Sequence, residues 1–361
     1  MTHRNPIIKS IRLNLNADWP YGLPWGASLI PNTNESPQKR LLRNLAAQDW
    51  LISLYFVLLF LAVLFGSGSG RAQSLQYIGM DLAILWAGLL AVRSELVRPS
   101  SFLSSIIYRA SLVVPVVLSY FQLRHILPAA SGRAVDAAIL KLDLWLFGFE
   151  PSIQWDALVT PITIEWFSFF YFSYFVLLPL FVSAFLFFVR DRSLIARFSF
   201  GLFGIFCTAH LVYILVPGYG PYKHLEGSFS NTLSGGIFWN AVWEVVQAGG
   251  AMKDIFPSLH TAVPTYFALF AFHHRKQLVF KLLFPILAVF ASQIILATMF
   301  LRWHWLLDIF AGITLASAAH LFSLKVHAWE SSIRAQIGAR SVFDPLPLPM
   351  VSRASQNRSP S

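Results

Sequence analysis

The stretch IFPSLHTAVPTYFALFAFHHRKQLVFKLLFPILAVFASQIILATMFLRWHWLLDIFAG, residues 255–312, decides how this chain folds. Two apolar runs are joined by the short basic turn HHRK at 273–276. Each run is long enough to approach the ~20 residues that a helix needs to cross a bilayer. Two spans joined by so short a turn must run antiparallel. His260 heads the first run and His304 lies just past the tail of the second, so 44 residues of separation become proximity at one end of the pair. Asp308 follows His304 by four residues, one helical turn on and on the same side. Two histidines, a carboxylate and Arg302 are thus expected to gather at one membrane surface.

Composition supports the membrane reading. The 361 residues are 56% hydrophobic and only 12% charged, with 33 Phe. Soluble domains carry about 25% charged residues, so a water-facing surface could not be covered here. The net charge of +10 could point to nucleic acid. Its basic residues flank the apolar runs instead, which is the pattern of membrane topology. No nucleic acid partner is expected. The single cysteine, Cys207, lies in an apolar run and excludes a disulfide within the chain. Residues 1–49 are polar or mixed and do not read as a signal peptide.

Eight spans are expected, at about 48–67, 75–93, 104–126, 161–188, 195–216, 255–273, 277–298 and 304–325. With the N-terminus in the cytoplasm, 20 of the 27 Lys and Arg fall on the cytoplasmic side and seven on the other. The bias holds at every cytoplasmic connection. It predicts an integral membrane protein with both termini inside and the histidines on the outer face. A loose arm is expected over 1–47, with a short helix near 36–49. Accessory spans follow over 48–103, a catalytic membrane domain over 104–327 and a flexible tail over 328–361. The stretch ILKLDLWLFGFEPSIQW (139–155) reads as an interfacial helix ending near Gly148, with Trp145 and Trp155 at headgroup level. The outer loop 217–254 opens with PGYGPYKHLEG, whose Gly and Pro force a turn. That turn holds Tyr219, Tyr222 and Lys223 near the mouth of the spans, either as a plain surface turn or as a headgroup-binding lid. Residues 226–250 are Gly- and Ser-rich and read as partly irregular.

Each candidate has a plain alternative. A histidine at a span end can simply cap a helix, which fits His273 and His274, while His210 and His320 fit as packed or hydrogen-bonded helix residues. His260 differs because it follows Pro-Ser-Leu at a helix start, where Ser258 can cap and leave amides for an anion. His304 differs because Asp308 can take its Nδ1–H and fix the tautomer. A histidine–carboxylate pair supplies a nucleophile or a base, and a second histidine supplies a proton. With Arg302 and helix-start amides to hold negative charge, these are the parts of phosphoryl transfer. No metal or cofactor is called for, since no zinc-type spacing, HExxH, P-loop or dinucleotide fingerprint is present.

FPSLHTA (256–262) and RWHWLLDIFAG (302–312) resemble the two catalytic motifs of the type 2 phosphatidic acid phosphatase superfamily. PSLH with HxxxD is more similar to the branch of fungal inositol phosphorylceramide synthase, sphingomyelin synthase and their bacterial relatives. LDLWLFGFEPS (142–152) and PGYGPY (217–222) resemble that branch too, so the resemblance covers about 135–325. It implies an all-α, polytopic membrane bundle with a six-helix core, in a bacterial inner (plasma) membrane. It implies that His304 attacks phosphorus to form a phosphohistidine, Asp308 orients it, and His260 protonates the leaving alcohol and then deprotonates the acceptor. The partners implied are a phospholipid donor and a lipid or polyol acceptor. Two departures stand out. The Lys-x6-Arg-Pro motif of the phosphatases is absent, and Thr298 stands where they carry an arginine six residues before the nucleophile. Arg302, Lys223, Ser258, Tyr219 and Tyr222 are the expected substrate-binding residues in their place. The leading expectation is therefore a lipid phosphotransferase. The alternatives are a lipid phosphate or polyprenyl-diphosphate phosphatase and, less favoured because the spans look continuous, a transporter.

Overall fold

The computed structural model of the chain describes residues 35–249 and 253–346. The part of the expected loose arm over 1–34, and the part of the expected tail beyond 346, lie outside the described residues. The described residues are helical, with no strand beyond one isolated bridge between Gly218 and Asp254. In chain order the α-helices are α1 (Pro37–Asn44), α2 (Ala47–Leu64), α3 (Arg71–Arg93), α4 (Phe102–Ala130), α5 (Asp136–Phe147), α6 (Pro151–Gln154), α7 (Pro161–Ser183), α8 (Arg192–Leu215), α9 (Pro221–His224), α10 (Ile237–Gly249), α11 (Leu259–His273), α12 (Leu278–Phe300) and α13 (Leu306–Ile337). Helices α2, α3, α4, α7, α8, α12 and α13 are long and apolar enough to cross a membrane. This is an all-helical polytopic bundle, as the apolar runs predict.

The sixth expected span is shorter than the sequence indicates. The apolar run begins at 255, but α11 starts only at Leu259 because Pro257 and the cap at Ser258 precede it; the Ser258 hydroxyl accepts from the Thr261 amide at 3.2 Å. Its 15 residues rise about 22 Å at 1.5 Å each. α11 is enclosed by α7, α8, α12 and α13.

Two apolar cores are joined through α8. One is built from α7, α8, α11, α12 and α13 and holds Phe170, Phe198, Tyr266, Phe267 and Phe270. The other joins α2, α3 and α4 to another face of α8 through Ile52, Phe56, Leu85, Leu112 and Phe203. Helix α4 touches α8 and α10, and α10 packs on α7. α10 thus bridges the α4 and α7 side of the bundle.

Two stretches are more ordered than their composition suggests. The partly irregular stretch 226–250 keeps its irregular part to 229–236, while 237–249 form the regular helix α10, because the Glu165 carboxylate accepts from the Phe238 and Trp239 amides at 3.0 and 2.9 Å and caps it. The flexible tail expected from 328 does not begin there: α13 runs on to Ile337, and Val342 and Phe343 are buried. Arg93 donates to the Val342 carbonyl at 3.3 Å and Arg109 to that of Asp344 at 2.8 Å, which holds the segment down. α5, by contrast, ends at Gly148 as expected, with that glycine left-handed at φ 78°.

Candidate active site

The histidines meet where the fold brings the start of α11 beside the start of α13. Gly312 permits that approach: a Cβ there would lie 2.7 Å from the Ser258 carbonyl oxygen. The Ser258 amide donates to the Asp308 carbonyl at 3.2 Å, tying the two helix starts directly. The rings of His260 and His304 end 6.1 Å apart, centre to centre. His304 Nδ1 donates to Asp308 Oδ2 at 3.2 Å, and the Trp305 amide donates to the same oxygen at 2.9 Å. The carboxylate therefore fixes both the tautomer and the ring, which leaves Nε2 as the working nitrogen. Burial pulls the His304 pKa down to about 4, against the Asp254 charge and a hydrogen bond to Ile255, so the ring is neutral and its lone pair available at neutral pH.

His260 stands in an aromatic box. Its ring stacks on Tyr171 at 4.3 Å and 17°, with Tyr174 at 4.2 Å and Phe175 at 5.4 Å. Its Nε2 is buried with no hydrogen-bond partner, as is Trp303 Nε1. Native interiors rarely leave such groups unpaired. Both residues line a cavity of about 590 Å³ together with His304, Asp254, Tyr219 and Tyr222. This is the size of a small-molecule pocket, and its remaining wall is mostly apolar. The cavity runs along α7 from Tyr171 to Ser183, about 18 Å by helical rise. Val117 and Phe121 of α4 and Phe187 belong both to its wall and to the outer surface, so it opens sideways toward the lipid.

A layer of acidic residues supports this centre. Asp136 accepts from the Tyr219 and Gly220 amides, at 3.0 and 2.8 Å, and from the Trp305 indole at 3.2 Å. Asp143 accepts from the Leu306 and Leu307 amides at 2.9 and 3.0 Å and so caps α13. Burial raises the Asp143 pKa to about 6, against those two bonds. Gly220 has φ +84°, and a Cβ there would strike the Trp303 carbonyl, so the PGYGPY turn lies flat on the second motif. The Tyr222 amide donates to the Arg302 carbonyl at 2.7 Å.

The expected residues thus divide. His260, His304, Asp308, Tyr219 and Tyr222 come together. Ser258 is the α11 cap and is fully buried outside the cavity. Lys223 is exposed and bonds Glu226 at 3.2 Å. Arg302, expected to hold phosphate, turns away from the cavity: its guanidinium donates to Asp156 at 2.6 Å and to the Asn231 carbonyl at 2.7 Å, and rests over the Phe229 ring at 3.8 Å. Asp156 also gathers the Ser230 and Asn231 amides, so Arg302 is spent on the outer loop. The amides at the start of α13 are likewise taken by Asp143 and Asp308. Asp254 and Trp303 are cavity residues that the sequence reading passed over. Nothing local marks Asp254, whereas Trp303, beside His304, could have been found as a polar-tipped aromatic at the site.

The sequence pattern of the PAP2 superfamily matches residues 137–322, just over half of the chain. The chain belongs to the PAP2 superfamily. No curated protein and no solved structure matches it. The matched range runs from α5 to α13 and contains both histidines, Asp308 and every acidic residue of the supporting layer except Asp136. Superfamily membership brings phosphatase or phosphotransferase chemistry on lipid phosphates, and the histidine pair has the parts for it.

Proposed function

We propose that this protein is a membrane phosphotransferase that moves a phospho-headgroup from a phospholipid to an alcohol acceptor through a phosphohistidine, in the manner of the inositol phosphorylceramide and sphingomyelin synthases. In the first step His304 Nε2 attacks phosphorus, the bond from phosphorus to the lipid oxygen breaks, and His260 gives that oxygen its proton. In the second, His260 takes the proton of the acceptor hydroxyl as its oxygen attacks. The nitrogen–phosphorus bond then breaks and returns the lone pair to His304.

One observation carries this reading over the phosphatase alternative. Among the described residues that line the cavity there is no Lys or Arg. A phosphate monoester brings two negative charges and a diester one, and uncompensated charge away from water is costly. A diester therefore suits this wall better, and a diester donor is what headgroup transfer uses. The apolar wall also keeps water from the phosphohistidine, which favours an alcohol as the second nucleophile. The test is purified protein with labelled phospholipid, with and without candidate alcohols. Product that depends on the alcohol is expected; phosphate released equally fast in water alone would make the protein a phosphatase.

The active site is proposed to face outward, with both termini inside, on the bias of basic residues. In a Cys207→Ser background, a cysteine placed at exposed Ser234 should react with an impermeant maleimide on intact cells. One placed at exposed Lys276, in the basic turn, should not. The reverse pattern would put the chemistry in the cytoplasmic leaflet.

A further inference from the structure

Asp254 is the only Asp, Glu, Lys or Arg among the described residues of the cavity wall. Its backbone is fixed under the PGYGPY turn by the parallel bridge to Gly218, whose amide donates to the Lys253 carbonyl at 3.4 Å. The neighbouring lysine does not neutralise it: Lys253 Nζ donates to the Gly132 and Arg133 carbonyls, each at 3.3 Å, and lies over the Tyr219 ring. The Asp254 carboxylate bonds its own backbone amide and, among the described residues, no side chain. His304 is within its electrostatic reach but is neutral at ordinary pH, for the reason given above, and supplies no counter-charge. Five tyrosines, Tyr120, Tyr171, Tyr174, Tyr213 and Tyr222, line the same cavity as this carboxylate.

A half-buried carboxylate facing a mostly apolar cavity without a counter-ion is costly to the free protein. Burial accordingly raises the Asp254 pKa. Aromatic faces beside such a group are the surroundings in which ammonium ligands are bound, since the ring quadrupole attracts the cation and the carboxylate neutralises it. We propose that Asp254 and the tyrosines around it bind the ammonium group of an amino-alcohol phospho-headgroup, so that the donor is a zwitterionic phospholipid rather than an anionic or polyol one. This rests on reading the site as one for phosphoryl transfer. The charges then balance: phosphodiester against ammonium, and Asp254 against the proton that His260 delivers. A polyol headgroup would leave one negative charge uncompensated in the cavity.

The test uses the full chain in mixed micelles and phosphonate analogues in which carbon replaces the scissile lipid oxygen. Analogues of phosphatidylcholine, phosphatidylethanolamine and phosphatidylglycerol are titrated while tryptophan fluorescence is read, since Trp303 lies in the wall. The wild type should bind the two zwitterionic analogues at least about tenfold tighter than the glycerol one, a gap of ~1.4 kcal/mol. Asp254→Asn should close that gap by weakening the zwitterionic analogues alone, and Asp254→Glu should keep part of it. No preference in the wild type, preference for the glycerol analogue, or equal loss on all three in Asp254→Asn would overturn the proposal. If Asp254→Asn does not fold, Tyr120→Leu removes one ring that makes no ring contact with His260 and should narrow the same gap; an unchanged gap there would count against the proposal. Because an uncleavable analogue needs no turnover, a hydrolase with this pocket would still show the preference. A transferase without it would sink the headgroup assignment and leave the proposed reaction standing.

Discussion

Two buried polar clusters in this molecule are built on opposite plans. The first joins α2, α3 and α4. Asp49 accepts from Tyr108 at 2.7 Å, from Arg93 at 2.8 Å and from the Ala46 amide at 2.8 Å, while Gln48 donates to the Tyr108 hydroxyl at 2.6 Å. Arg93 also lies over the Tyr108 ring at 4.0 Å. The second is the histidine centre, where His260 Nε2 and Trp303 Nε1 have no partner and Asp254 has no cation. The first network leaves one buried atom open, Arg93 Nη2, and has its other bonds made, which fixes a structure. A buried set with bonds left open implies a missing partner, because native proteins seldom tolerate such groups otherwise. The contrast separates the part of the chain that holds the helices together from the part that acts.

Substitutions at the two clusters should therefore have opposite consequences. His304→Ala should abolish product and any phosphoenzyme trapped by an alkaline denaturing quench, while the melting temperature stays near that of the wild type. Label still trapped in that variant would move the nucleophile elsewhere. Asp308→Asn should slow turnover by ~10⁴-fold, as loss of the tautomer-fixing carboxylate does in other histidine–carboxylate pairs. Circular dichroism should show the variant folded; a near-normal rate would reduce Asp308 to a cap for Trp305. Arg93→Ala strands the Asp49 charge and should cost ~3–5 kcal/mol of stability. Its rate per folded molecule should not change, and a lost rate with intact stability would mean that the first cluster also serves the chemistry. The smallest effect is expected for Trp303→Phe. Its indole N–H gives up no bond, so stability should hold, while the rate should fall only a few-fold if that N–H meets a phosphoryl oxygen, worth ~1 kcal/mol. An unchanged rate would remove Trp303 from the site.

Much of this was legible in the sequence. The long apolar runs gave seven spanning helices their positions, and Ser258, Gly148 and the HxxxD spacing gave the α11 cap, the end of α5 and the His304–Asp308 bond, because each depends on neighbours within a turn or two. What was missed depends on partners far along the chain. Arg302 read as a phosphate ligand, but Asp156, 146 residues away, claims it. Within the partly irregular stretch 226–250 the helix at 237–249 could not be singled out, because its cap, Glu165, lies more than seventy residues upstream. The segment after α13 read as a tail because Arg93 and Arg109, which hold it, belong to α3 and α4. Asp254 carried no local signal at all; it matters because the bridge to Gly218 brings it under the turn that closes the cavity.

The brevity of α11 sets the depth of the reaction. A helix of 15 residues covers about 22 Å of a hydrocarbon layer that is about 30 Å thick. With its basic turn at one boundary, the other end, which carries His260, would stop roughly 8 Å short of the opposite boundary by the same arithmetic. Under the proposed reaction the phosphate would then have to sink below the plane of its neighbours' headgroups while its tails remain in the bilayer. A substrate whose phosphate cannot descend, because it is bound to a bead or bridged to a bulky soluble carrier, would then be excluded by depth, whatever its chemistry.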